Sequence, residues 1–201
     1  MCQKIPTQTI GSIGTITFTE CPPFQAFRKI PRLNRDICIT EKIDGTNAQV
    51  VVTECGKLLV GKRSGYMTPQ NDNHGFARWC EEHKEELLKL PVGRHYGEWW
   101  GKGVQRGYGV EDKRFTLFNA SLDRSTLPAC VSVVPVLYDG PFSADAITRC
   151  LEQLRSSGSV IAPGFLKPEG IVVYHKTSGN FYKVTLENDE KPKGIVVPDE
   201  V

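Results

Sequence analysis

Ile39-Thr40-Glu41-Lys42-Ile43-Asp44-Gly45-Thr46-Asn47 lies between two runs that read as strands, 36–40 and 48–54. Asp44 is a natural turn former, and Gly45 tolerates backbone angles closed to residues with a Cβ. The segment therefore predicts a tight turn with a lysine on its approach. An ordinary surface β-turn carrying a solvated lysine fits the same pattern. What flanks it decides between that reading and a chemical one.

Downstream, 48–54 and 57–62 flank Cys55-Gly56 with the length and turn residue of a hairpin. Further strands read at 94–99, 115–119, 133–138, 170–175 and 181–185. Asn73 is placed to cap a helix over 74–89, in which Phe76, Trp79, His83, Leu87 and Leu90 share one apolar face. Glu81, Glu82, Glu85 and Glu86 read as solvated charge on the others. Ser143 caps a second helix with Ala146, Ile147, Cys150, Leu151 and Leu154 inward and Gly158 as its stop. Many short strands with two substantial helices predict an antiparallel-rich α+β domain. The expectation is one domain over 1–201, with 188–201 as a loose polar tail.

Composition agrees with a globular chain: 39% of the 201 residues are hydrophobic and 24% charged. No apolar run reaches the roughly 18 residues of a membrane span. Met1-Cys2-Gln3-Lys4-Ile5-Pro6 lacks the apolar core of a secretion signal, so a cytoplasmic location is expected. Seven scattered cysteines without a C-x-x-C pair read as reduced thiols, not as a disulfide framework or zinc site. A net charge of +2 leaves nucleic-acid contact to a local basic face. Lys62, Arg63, Lys102, Arg106, Lys113 and Arg114 could build one, or be scattered solvated charge. Gly101-Lys102-Gly103-Val104-Gln105-Arg106-Gly107 is one residue too long for a G-x-G-x-x-G fingerprint and has no βαβ unit around it. There is no P-loop, no nucleophile elbow and no ligand spacing among the four histidines.

Glu41-Lys42-Ile43-Asp44-Gly45 resembles motif I of the covalent nucleotidyltransferases: DNA ligases, RNA ligases and mRNA capping enzymes. Glu41 and Thr46-Asn47 are closest to the RNA ligase branch. Later segments follow in that family's order. Lys62-Arg63-Ser64-Gly65 stands where the family places an arginine near nucleotide and incoming strand. Tyr96-Gly97-Glu98-Trp99-Trp100-Gly101 resembles motif III, and Phe115-Thr116-Leu117-Phe118-Asn119 motif IIIa. Pro168-Glu169-Gly170-Ile171-Val172-Val173 resembles motif IV, and Phe181-Tyr182-Lys183-Val184 motif V. Two departures stand out. Thr185 replaces the second motif V lysine, and nothing resembles motif VI or an OB-like C-terminal domain.

The resemblance implies an ATP-dependent RNA ligase with the adenylation-domain fold. Lys42 would attack the α-phosphate of ATP, AMP would pass to an RNA 5′-phosphate, and a 3′-hydroxyl would displace it. Lysine has an unperturbed pKa near ~10.4, and burial or a second cation disfavours its charged form. Lys183 is the expected second cation and phosphate clamp, so Lys42 and Lys183 form the catalytic pair. Implied nucleotide contacts are Glu41, Lys42, Asp44, Gly45, Asn47, Arg63, Glu98 (to ribose), Phe118 (stacked on adenine), Glu169 and Lys183. Glu169 is expected to hold magnesium, and Arg63, Lys62, Lys102 and Arg106 to meet RNA. A partner protein or dimer would stand in for the missing domain. The competing readings are a capping guanylyltransferase, a minimal DNA ligase, and a non-catalytic module that binds nucleotides or nucleic-acid ends.

Overall fold

The structure, a computed structural model, describes residues 24–190. Residues 24–31 carry no regular secondary structure, and a compact unit starts at Arg32. Its strands form two sheets, confirming an α+β fold dominated by antiparallel pairing. The four-stranded sheet runs β10 (Asn180–Thr185), β9 (Gly170–His175), β1 (Asp36–Lys42), β8 (Val136–Pro141). The six-stranded sheet runs β4 (Gly65–Met67), β3 (Leu58–Lys62), β2 (Thr46–Val52), β5 (Gly93–Gly101), β6 (Lys113–Leu117), β7 (Val131–Val133). Every pairing is antiparallel except β6 with β7.

Period-two alternation divides the four-stranded sheet cleanly. Ile37, Ile39, Ile171 and Val173 face α3 (Ala144–Ser157), whose Ala146, Cys150 and Leu154 close a small core with them. Ser143 caps α3 by accepting from the Ala146 amide at 3.2 Å, and Gly158 (φ 81) ends it, as its sequence predicts. Directly opposed residues share a face. Register therefore gathers Thr40 and Lys42 on β1, Val172 on β9 and Lys183 and Thr185 on β10 on the face away from α3.

The larger core lies behind the six-stranded sheet. Phe76 and Trp79 of α1 (Phe76–Glu82) pack on Trp99 and Phe115, with ring centroids 4.9–6.1 Å apart. The single helix expected over 74–89 is instead two short ones, α1 and α2 (Lys84–Leu87), separated at His83. There the His83 ring nitrogen lies 2.9 Å from the Trp79 carbonyl oxygen, which also accepts from the His83 amide at 3.0 Å. The cap also differs: Asp72, not Asn73, accepts from the Ala77 and Arg78 amides.

The strand expected at 133–138 is broken as well. Val134 still donates to Leu117 of the larger sheet, whereas the Pro135 carbonyl accepts from Glu41 of the smaller one. Pro135 has no N–H for a ladder, so the chain changes sheets there. It makes the opposite change between Lys42 and Thr46, so the Lys-x-Asp-Gly segment is a crossover between sheets, not a hairpin turn. Cys38, Cys80 and Cys150 are buried free thiols, and Cys55 and Cys130 are also free. Cys2, Cys21 and residues 191–201 of the expected tail lie outside the described residues.

Candidate active site

A cleft of about 320 Å³ opens at the Lys42 crossover. Lys42, Asp44, Gly45, Thr46, Asn47, Lys62, Arg63, Ser64, Asn73, Glu98 and Glu169 line it. Most of the residues singled out by sequence therefore meet in one place.

Lys42 ends β1, and its ammonium donates to the Glu169 carboxylate at 2.7 Å. Glu169 immediately precedes Gly170, which is opposite Lys42 in the ladder. Gly170 is needed for the close approach of β10 on its other side: its φ is 152, and a Cβ there would fall 2.2 Å from the Val184 carbonyl oxygen.

Glu98 projects from β5 and is only 6% exposed. It accepts from the Gly45 amide at 3.1 Å and the Asn47 side-chain amide at 3.2 Å. Asn47 in turn accepts from Arg63 Nε at 2.7 Å, so arginine, amide and carboxylate form a chain across three strands or their ends. Burial pushes the Glu98 carboxyl up to about 7, against the opposing pull of Lys42 and its two hydrogen bonds; nearby Glu169 adds to the rise. Gly45 is required for a different reason from the one its turn position suggests. Its φ is not left-handed, but a Cβ would meet the Trp99 carbonyl oxygen at 2.4 Å.

Other expected site residues are placed differently. Glu41 and Lys42 are consecutive strand residues, so their side chains leave opposite faces. The Glu41 carboxylate, 1% exposed, accepts from the Ser159 hydroxyl (2.5 Å) and the Val160 and Ile161 amides (2.8 and 3.1 Å) instead of lining the cleft. Burial raises its pKa, opposed by those three bonds. Lys183 shares the Lys42 face but pairs with Val172, two residues along from Gly170. Two strand spacings and two residue rises put its Cα about 12 Å from that of Lys42. The partner at hydrogen-bond distance from Lys42 is thus a carboxylate, not the expected second cation. Thr185 holds the position nearest Lys42 on β10, across Gly170.

Phe118 follows β6 on the face that carries Glu98. It is 40% exposed and does not line the cleft. Lys62 and Arg63 do line it. Lys102 pairs at the surface with Glu111 at 2.8 Å. Arg106 donates from Nε to Asp44 at 2.8 Å and from Nη1 to the Lys167 carbonyl at 3.0 Å, so two of its three guanidinium nitrogens are already engaged.

Sequence reasoning missed Thr46, Ser64 and Asn73 in the lining, and Tyr108, whose hydroxyl accepts from the Asp44 amide at 2.8 Å. Asn73 bonds Thr46 at 2.9 Å, a partnership no local pattern announces. Among the described residues no three His, Cys, Asp or Glu side chains cluster as metal ligands. A hard cation held mainly by water and phosphate oxygens needs only one or two carboxylates, which Glu169 at the cleft wall fits.

No curated protein matches the chain by sequence. Its fold is similar to solved Naegleria gruberi RNA ligase structures. One, a variant with ATP and Mn, is 19% identical, with a TM-score of 0.56 over 76% of this chain and 50% of that one. Another variant, with AMP and Mn, gives 19%, 0.58, 80% and 53%. The ligase with PPi gives 18%, 0.55, 82% and 57%. The chain thus spans roughly half the length of these structures. The RNA ligase family profile matches residues 35–185. This chain belongs to the RNA ligase family.

Proposed function

We propose that the chain is an ATP-dependent RNA ligase working through a lysyl-AMP intermediate on Lys42. The observation that carries the proposal is the convergence of Lys42, Asn47, Arg63, Glu98 and Glu169 on one cleft between two sheets. A ligase of this kind needs a nucleophilic amine, a carboxylate for ribose hydroxyls and cations for phosphate, all held on rigid elements.

The Lys42 amine attacks the α-phosphorus of ATP, forming an N–P bond as the bond to pyrophosphate breaks. Its proton must leave first or with attack, and Glu169, 2.7 Å away, is the nearest acceptor. Glu98 accepts from the ribose hydroxyls, and Arg63 and Lys62 offset phosphate charge. Lys183 reaches the phosphates along the shared sheet face, while Phe118 offers a ring to the base. Magnesium, held by Glu169 with water and phosphate oxygens, would supply charge neutralisation for the departing pyrophosphate. The oxygen of an RNA 5′-phosphate then displaces Lys42 from AMP, and a 3′-hydroxyl displaces AMP to close the phosphodiester. The Naegleria gruberi ligase structures named with ATP, AMP and PPi hold the species that this scheme uses.

The test is incubation with labelled ATP and magnesium, followed by denaturing electrophoresis. The wild type should retain label and Lys42→Ala should lose it; label kept by Lys42→Ala defeats the assignment. Labelled GTP separates a capping guanylyltransferase, and nicked RNA against nicked DNA separates a DNA ligase. Nucleotide binding without any adduct leaves the non-catalytic module.

A further inference from the structure

Residues 102–109 follow β5 in a conformation that side chains resist. Gly103, Gly107 and Gly109 have left-handed backbones, but so do Gln105 (φ 45) and Tyr108 (φ 53), which pay a steric cost for them. Strain of this kind persists only where surrounding contacts enforce it. Here Tyr108 is 2% exposed and wedged between Trp100 (5.2 Å, edge-on) and Phe165 (4.6 Å).

The loop delivers two side chains to the nucleophile's crossover. The Tyr108 hydroxyl accepts from the Asp44 amide. Arg106 bonds the Asp44 carboxylate through Nε and the Lys167 carbonyl through Nη1. Asp44 is two residues beyond Lys42, and Lys167 two before Glu169. One planar guanidinium thus ties the segment carrying the amine to the segment carrying its carboxylate partner. A fixed fork suits that task better than a flexible ammonium.

We propose that Arg106 and Tyr108 are positioning residues that set the Lys42–Glu169 geometry, rather than contacts for RNA. The inference rests on the ligase reading only for its first readout. In Arg106→Ala, adduct formation at saturating ATP should slow about tenfold, with half-saturation by ATP moving far less, because orientation fails and not binding. Arg106→Lys should fall between, since an ammonium can meet Asp44 but cannot also span to Lys167. Tyr108→Phe, which removes only the hydroxyl, should slow the step without unfolding the chain.

The second readout needs no ligase activity. Acetylation by an N-hydroxysuccinimide ester, followed by peptide mass spectrometry, should label Lys42 about threefold faster in Arg106→Ala than in wild type, with Arg106→Lys between them, as the amine is freed from Glu169. Exposed Lys57 serves as the reference and should not change. A wild type that takes no AMP while Lys42 labelling still responds to Arg106 sinks the ligase reading alone. Unchanged Lys42 labelling overturns the inference, as does a wild-type adduct rate combined with weakened RNA binding.

Discussion

Replacing Glu98 by Gln tests the electrostatics of the cleft without changing its shape. Burial raises the Glu98 carboxyl from an ordinary 4.5 to about 7. At about 1.4 kcal/mol per pH unit, this corresponds to folding free energy on the order of 3 kcal/mol. The sign follows from proton uptake. Between pH 4.5 and 7 the folded chain holds a proton at Glu98 that the unfolded chain has lost. Its stabilising contribution is complete below 4.5, is lost as pH rises through about 7, and is flat beyond. Glutamine does not titrate, so this slope vanishes in Glu98→Gln. The variant also carries a constant cost of about 1 kcal/mol, because its amide nitrogen faces the donating Asn47 amide, whose oxygen is engaged by Arg63. Urea unfolding of both proteins from pH 5 to 8.5 reads the difference directly. The wild type should be the more stable at pH 5 and lose most of the 3 kcal/mol relative to the variant by pH 8. Parallel curves, or a wild type that gains on the variant as pH rises, would refute the reasoning.

Glu41→Ala leaves the Ser159 hydroxyl and the Val160 and Ile161 amides without their buried acceptor. It should cost about 3 kcal/mol in urea unfolding, with the variant's residual folded fraction still taking AMP. Gly45→Ala drives a Cβ against the Trp99 carbonyl, and should lower stability by about 2 kcal/mol or more by the same measurement. Lys62→Ala should reduce the slope of log affinity for RNA against log salt by about 1 in a filter-binding titration, whereas Lys102→Ala, already paired with Glu111, should leave it unchanged.

Much of this site was legible before any coordinates. Lys42, Asn47, Arg63, Glu98 and Glu169 span 127 residues of sequence yet line one cleft. Their order along the chain pointed there because the family resemblance is carried by residue type and sequence order. What stayed hidden was direction. Strand alternation alone forbids Glu41 and Lys42, consecutive residues of β1, from facing the same cleft. Pro135 likewise signalled a break in 133–138, since a central strand has no place for a residue without an N–H. The helix break at His83 had no such signal, because no glycine or proline interrupts 76–87. Asn71-Asp72-Asn73 offers several capping side chains, and only packing selects Asp72. Arg106 looked like a cation for RNA because charge is visible in a sequence and its partner sixty-two residues away is not.

Among the described strands, the polypeptide changes sheets at two points, 42–46 and 133–136, and the Glu41 amide to Pro135 carbonyl bond stitches the strand leading into the first to the second. The two layers are bound like facing pages along that spine. Splaying them would open the far margins widely while displacing residues at the binding least. Lys42 sits beside the spine, where the chain itself joins the two layers, so its place in the cleft depends least on how far the outer margins stand apart.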